Sequence, residues 1–506
     1  MAVIGVDIGS TGCKATIVSE NGAILAQAYR EYREKKCEVP QWQEVSSNEV
    51  WRCTAEVISA CAAQNKGEPV VALSVSSFGE AVTLVDDCLN VLSDGILYTD
   101  PRGDEETARL LAGMEADAYM GIAGVGPSKM YSLPKLMWLK QHKPEAYRNA
   151  RAFLPFDGFA LAKLGAKLHT SYSLAARTMA FDVVNKRWSA KILDIAGIDG
   201  AKCPEAVPSG TVVGQLSREA AHLTGLPEGI LLVSGGHDQP CASLGAGAIY
   251  SGLATDGLGS VESINPTFDE PRLNTQMAQG SFACVPHVLP EKYITYAFTF
   301  TAGRLFKWYR DTLGSEECAR AQRAKRNVYE LLIEEMSPEA NDLFLLPYFA
   351  GAATPYMDYT SKGALVGMTL ETTKPDIVRA LLEGITFESM VNVEHLERAG
   401  VSIRELVATG GLANSRAFLQ MKTDMMGRPI HTIASDQAGT MGVAILAGVA
   451  VGVYGSIEEA VSLVVKKGTQ YEPDFKRHQR YLEKYERYKW IYPAMKHIFA
   501  ENGGRQ

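Results

Sequence analysis

The sequence predicts an α/β protein built from two similar halves that face a common cleft, and three observations carry that prediction. Strand-like and helical runs alternate along the whole chain, which is the α/β pattern. The opening run Val3 to Ile8 reaches an aspartate, Asp7, and passes at once into Gly9-Ser10-Thr11-Gly12. Near residue 255 the arrangement returns, with Asp256 followed by Gly257, Gly259, Ser260 and a β-branched residue. The two aspartates lie about 250 residues apart, so the echo reads as a duplicated unit with both turns facing the cleft. At 506 residues two domains are the default, and the boundary falls after Gly247 and before Leu253. This divides the chain into residues 1–250, residues 251–490 and a tail, 491–506.

Taken in order, MAVIGVDIGSTGCKATIVSENGAIL alternates as a strand, a small polar turn, a second strand and a third after Asn21-Gly22. A plain hairpin accounts for that pattern. A second reading is that the backbone N–H groups of the Gly-Ser turn hold an anion, with Asp7 placed for a divalent metal or its water shell. GSTGCKA lacks the ending of a Walker loop. Val70 to Val75 and Gly229 to Ser234 read as buried strands. The second ends in Gly235-Gly236, and His237-Asp238-Gln239 then opens a helix before Pro240. Asp238 is either an ordinary first-turn aspartate or a carboxylate poised to take a proton from a substrate hydroxyl; His237 reads as its packing or hydrogen-bonding neighbour. Pro375 to Gly400 predicts a helix, with Pro375 in the first turn and Ile377, Leu381 and Ile385 on one face. In ELVATGGLANSRAF a strand ends at Thr409, Gly410-Gly411 turns, and Ser415 caps a helix. Such a turn is an ordinary joint or a place where backbone approaches a flat ligand.

Composition narrows the function class. The chain is 46% hydrophobic and 21% charged with a net charge of −8, and no basic stripe suggests nucleic acid. The segment 438 to 455 is apolar, but five of its eighteen residues are glycine, which predicts a small-residue core helix and no membrane span. No basic leader precedes the first strand, and nine cysteines without a CxxC pair read as reduced thiols without a structural metal. These features predict a cytoplasmic enzyme or binding protein of bacterial type.

Six segments, in order, resemble the FGGY family of carbohydrate kinases. They are VDIGSTGCKA, MYSLPKLMWLKQH (130–142, with Lys135 and Trp138), GGHDQ, FLLPYFAGAATPYMD (344–358), SKGALVGMTLETTKPDIVRALLE and ATGGLANS. The resemblance implies the duplicated ribonuclease-H-like fold shared with actin and Hsp70, with the sugar in the first domain and ATP in the second. It implies that Asp238 is the general base and that Asp7 organises Mg²⁺ through water. Gly9, Ser10 and Thr11, together with Gly257, Gly259 and Ser260, would contact the ATP phosphates. Gly303, Gly410, Gly411, Asn414 and Ser415 would border the adenosine. Phe78, Gly79 and Glu80, with Asp100, Arg102 and Asp238, would meet the sugar. A homodimer is compatible with the resemblance.

Departures from the family pattern narrow the substrate. Gly79-Glu80 stands where glycerol kinases carry an Arg–Glu pair, and Met130 where they carry a tyrosine, so glycerol is disfavoured. Leu381 stands where a smaller or β-branched residue is usual in the family, and Ala352-Ala353 where many relatives have a Glu-Arg pair. SSFGEA and GGHDQ resemble the L-fuculokinase branch, while the opening resembles the xylulokinase branch. The expected acceptor is a ketose, a pentulose such as xylulose or a deoxyhexulose. A polyol or sugar-acid kinase such as one for erythritol or gluconate, and a non-kinase ATPase of the same superfold, are the alternatives.

Overall fold

In a computed structural model, which describes residues 1–435 and 437–502, the alternating pattern forms two mixed sheets with helices packed against them. The first sheet begins with the expected meander, β1 (Ala2–Ile8), β2 (Gly12–Ser19) and β3 (Ile24–Glu31). Helix α1 (Ser47–Gln64) follows, capped by the Ser46 hydroxyl, and leads into β4 (Val70–Ser77), parallel to β1. Two further helices, α2 (Ser132–His142) and α3 (Tyr172–Ala176), precede β5 (Val212–Gln215) and β6 (Leu231–His237). The strand order is β5-β6-β4-β1-β2-β3. Val3, Ile4, Val6 and Ile8 are all buried, as expected for a central strand covered on both faces.

Helix α4 (Asp238–Gly245) links this sheet to the second, which opens with the hairpin β7 (Leu253–Leu258) and β8 (Glu262–Phe268). Short strands β9 (Val285–Pro286), β10 (Tyr293–Ile294) and β11 (Ala297–Thr299) extend it on the β8 side. Helices α5 (Gly303–Thr312) and α6 (Lys374–Arg398) come next. The parallel strands β12 (Glu405–Thr409) and β13 (Ile430–Ile433), with α7 (Arg416–Met426) between them, lie on the β7 side. Helix α8 (Ala438–Ala450) and the edge strand β14 (Lys467–Tyr471) complete the unit. In both sheets a hairpin strand is flanked by two successive parallel strands and an antiparallel edge, so the duplication is one of topology.

The helix predicted from Pro375 is α6; Thr373 and Asp376 form its capping box, and Leu381 is fully buried in the second core. The apolar 438–455 stretch is α8, and it crosses back from the second half to cover the first sheet. A Cβ on Gly5 would meet the Thr440 carbonyl at 2.0 Å, and one on Gly442 the Cys241 carbonyl at 1.9 Å, so strand, α4 and α8 meet backbone to backbone. No helix among the described residues is long and apolar enough to cross a membrane. The segment expected as a tail forms a helix, α9 (Ile491–Asn502), whose Tyr492 hydroxyl donates to Asp358 at 2.9 Å; residues 503–506 lie outside the described residues.

Two expectations are corrected. The strand before Asp238 does not end at Gly235-Gly236 but runs to His237. The acid–glycine echo is displaced by one residue: Ile8 pairs with Cys13 across the first hairpin, and Leu258 with Glu262 across the second. Gly257, not Asp256, therefore holds the hairpin position of Asp7. One residue of offset turns a side chain to the opposite face. Asp256 accordingly points into the interior, 2.6 Å from Lys422, which also meets Glu262. Gly257 lies within β7, and the turn itself is Gly259, Ser260 and Val261.

Candidate active site

The Gly-Gly pair places Asp238. In the pairing of β6 with β4, Ser234 faces Val75 and Gly236 faces Ser76, which leaves Gly235 as an extra residue, a bulge. A Cβ at Gly235 would lie 2.0 Å from the Val75 carbonyl, and one at Gly236 2.5 Å from Val288 Cγ1, so neither position accepts a side chain without movement. The His237 amide then donates to Ser173 Oγ at 3.0 Å, and α4 begins at Asp238, setting that carboxylate at a helix N-terminus.

His237 lies against both Asp238 and Tyr296. Its Nε2 is 3.1 Å from Asp238 Oδ1, and its Nδ1 is 3.0 Å from the Tyr296 hydroxyl. Burial, reinforced by the Arg177 charge, holds the imidazole pKa well below the usual value, so the ring is neutral. The arrangement that satisfies all three groups has Nε2–H donating to Asp238 while Nδ1 accepts from Tyr296. Burial pushes the Asp238 carboxyl well above the ordinary carboxylate value, and the nearby Asp7 and Glu80 push it further. Its side chain keeps 27% exposure toward the cleft. An accessible carboxylate with a raised pKa is a stronger base than an ordinary one and is suited to accept a hydroxyl proton.

Asp238 borders a cavity of about 680 Å³ between the two halves. Ser10 at the tip of the first hairpin lines it, as do Val261 and Ser263 of the second. Gly9 and Thr11 flank Ser10 in the same turn, closed by a hydrogen bond from the Gly9 amide to the Gly12 carbonyl at 2.9 Å. Asp7 lies behind this turn, accepting from Ser76 Oγ at 2.7 Å, and its other oxygen is so close to α8 that a Cβ on Gly439 would be 2.6 Å away. Burial raises its pKa. Among the described residues no group of three or more His, Cys, Asp or Glu side chains forms a metal cluster. A corner with Asp7 and Asp238 alone suits Mg²⁺ carried mainly by phosphate oxygens and water, which is how that ion binds beside nucleotides.

A second cavity, about 500 Å³, lies on the other side of the β7–β8 turn. Gly259, Ser260, Gly303, Gly411, Asn414 and Ser415 line it. The amides of Gly303 and Arg304 donate to the carbonyls of Gly259 and Ser260 at 3.0 and 3.1 Å, so the turn is seated on the start of α5. Gly303 and Gly410 are glycine for one reason: a Cβ on either would meet the hairpin backbone at 2.7 Å, on the Gly259 and Leu258 carbonyls respectively. Gly410 does not line the cavity; it allows Gly411 to. Arg304 and Lys307 supply cations here, and only the cavity reveals them.

Of the expected sugar contacts, Phe78, Gly79, Glu80 and Asp238 line the larger cavity. Asp100 and Arg102 do not, which corrects that expectation. Asp100 accepts from Arg102 Nε and Nη2 at 2.8 and 2.7 Å, and Arg102 lies over the Trp42 and Trp138 rings at 4.0 and 4.7 Å. Lys135 donates to the Asp100 carbonyl at 2.8 Å and to that of Arg102. The MYSLPKLMWLKQH segment thus holds the YTDPRG loop in place through Lys135, while its first residues, Met130 and Tyr131, line the larger cavity. Met357 and Tyr359, from the PY segment, reach the larger cavity from the second half. Sequence reading missed Arg177, Tyr296, Tyr131 and Tyr98, all lining that cavity. Each comes from a separate element, and no local spacing marks them.

Two hairpin turns, a cavity of about 500 Å³ and a raised carboxylate beside a second, polar pocket form an arrangement suited to phosphoryl transfer. Models of the FGGY family of carbohydrate kinases match residues 2–245 (N-terminal domain) and 261–451 (C-terminal domain), and the chain belongs to that family. It is similar to a xylulose kinase of Bacillus subtilis, 28% identical over 501 residues, covering 98% of this chain and 97% of the relative. Solved structures of a xylulose kinase and a gluconate kinase from Lactobacillus acidophilus each superpose with a TM-score of 0.89 at 23% identity, covering 99% of both chains. The protein is a sugar kinase that uses ATP as phosphate donor.

Proposed function

We propose that the acceptor is a ketose, a pentulose such as xylulose or a related deoxyhexulose, bound in the cavity beside Asp238. The observation that carries this reading is the position of Asp238, raised in pKa, between a polar pocket and the two hairpin turns. Similarity to the Bacillus subtilis xylulose kinase along nearly the whole length supports the ketose. The acceptor hydroxyl passes its proton to Asp238 while its oxygen attacks the γ-phosphorus and ADP departs. Ser10, Thr11, Gly259 and Ser260 offer hydrogen-bond donors to the phosphates, and the second cavity takes the adenosine. Asp7 would hold Mg²⁺ through water, and the ion would supply positive charge to the phosphates. Residues 1–250 then carry the sugar and the base, and 251–490 the nucleotide. A cytoplasmic site and a homodimer belong to this reading.

The test is ADP release with Mg-ATP over a panel of ketoses, aldoses, polyols and sugar acids, with Asp238→Ala as control. A ketose that stimulates release in the native chain but not in the control supports the reading. ADP release independent of any sugar overturns it in favour of an ATPase.

A further inference from the structure

The cleft is short of positive charge where the transferred phosphoryl group must pass. Asp238, Glu80 and Asp117 line the larger cavity. Arg177, the cation that lines it among the described residues, is neutralised by Glu80, to whose Oε1 its Nε donates at 2.5 Å. The two hairpin turns offer amides and hydroxyls but carry no cation. The second cavity differs: Arg304 and Lys307 line it against one carboxylate, Glu330.

Arg304 is rooted at the wall between the cavities. Gly259 and Ser260 of the β7–β8 turn line the second cavity, and Val261 lines the larger one. The amides of Ala302, Gly303 and Arg304 donate to the carbonyls of Ser260, Gly259 and Ser260, at 3.0, 3.0 and 3.1 Å. Those bonds consume the first backbone donors of α5, so what this helix end still offers an anion is the Arg304 side chain. That side chain is exposed and has no hydrogen bond or ion pair among the described residues. Its charge nevertheless reaches the larger cavity. Burial raises the pKa of Tyr98, which lines that cavity; the Glu80 and Asp238 charges push it further, and Arg304 draws it back. A cation in the first turn also opposes the helix dipole, and α5 has no acidic residue there to offset it. An anion held at the turn converts that penalty into attraction.

We infer that Arg304 is a catalytic residue that reaches over the β7–β8 turn to hold the γ-phosphoryl group of ATP as it crosses from the second cavity to the acceptor. The inference rests on the kinase reading above. In that step the acceptor oxygen bonds to the γ-phosphorus, the bond from phosphorus to the ADP oxygen breaks, and the acceptor proton passes to Asp238. Between those states negative charge is spread over the equatorial oxygens and the departing ADP oxygen, close to the Asp238 carboxylate. A forked guanidinium can bridge two of these oxygens, neutralise them and oppose their repulsion by the carboxylate. Lys307, the other cation lining the second cavity among the described residues, lies three residues further along α5.

The experiment measures kcat and KM with Mg-ATP for the fastest acceptor among D-xylulose, D-ribulose, erythritol and D-gluconate, and titrates Mg-ADP by calorimetry. Arg304→Met and Arg304→Lys are compared with the native chain, with melting temperature as the folding control. Arg304→Met should lower kcat by at least about 100-fold, as expected for losing one preorganised donor at a developing charge. The ADP Kd and the acceptor KM should stay within about threefold, because the group that Arg304 holds is neither ADP nor acceptor. Arg304→Lys, which keeps the charge but loses the fork, should fall between. A kcat in folded Arg304→Met within about threefold of the native value overturns the inference. So does a loss of ADP affinity as large as the loss of kcat, which assigns the arginine to the nucleotide that stays behind. The acceptor preferred by the native chain tests the ketose reading separately, since the ratio of variant to native is taken with whichever acceptor is fastest.

Discussion

As the proposed base, Asp238 must stay ionised to accept a proton, yet its surroundings favour the neutral form. Protonated Asp238 cannot act as base, so kcat/KM should decline as pH falls through its raised pKa, with an acid limb above the ordinary carboxylate range. Asp238→Asn should lower kcat by about 10²–10⁴-fold with little effect on the ATP KM. His237, neutral and donating to the carboxylate, stabilises the charged form. Replacing it with phenylalanine should move the acid limb upward by about 1–2 pH units, the worth of one hydrogen bond to a charged group; a pH–rate profile of the variant measures this. Asp157 gives a contrasting case. Burial pushes its pKa up to about 7, and its Oδ2 has no hydrogen-bond partner among the described residues. The folded state therefore holds a proton that the unfolded state releases above its lower pKa, and stability declines as pH rises toward 7. Asp157→Asn should raise the melting temperature more at pH 8 than at pH 5. At this scale the sequence was partly legible: Asp238 follows a strand and two glycines, a local signature. Arg177 and Tyr296 reach the site from 61 residues before and 58 residues after it, and such proximity exists only in the folded chain.

The elements were legible wherever periodicity and caps agreed, as in β1, β4 and α6. The echo at residue 256 misled by one residue because a glycine-rich string permits two alignments, and only strand pairing decides between them. The buried outcome is a charge cluster in which Lys422 lies 2.6 Å from Asp256 and also meets Glu262, tying the β7–β8 hairpin to α7. Lys422→Met should destabilise the fold by about 3–5 kcal/mol, because it leaves two buried carboxylates without their cation; urea denaturation reads this directly. The α4–α8 crossing makes a second prediction. Gly442→Ala should cost about 1–3 kcal/mol, since its methyl group has no space against the Cys241 carbonyl. The same glycines that suggested a core helix over a membrane span are the ones that let the two helices touch.

Across the whole molecule, the two hairpin turns, Asp238 and both cavities lie along one cleft, with contributions from each half. Closing the cleft would exclude water from the transfer, so small-angle scattering should give a smaller radius of gyration with an ATP analogue and acceptor together than with either alone. Division into two units could be read from the duplicated turns, but the return of α8 could not, because an apolar helix does not announce which sheet it covers. That return has a consequence for biosynthesis. Val3, Ala72 and Val233 of the first sheet share a core with Met441, Val443 and Leu446. A growing chain exposes this face until residues 438–450 leave the ribosome, some two hundred residues after the first sheet is complete. At about 5–20 residues per second, that is a delay of about 10–40 s. A fragment of residues 1–250 should therefore aggregate when made alone and become soluble when residues 251–506 are produced with it.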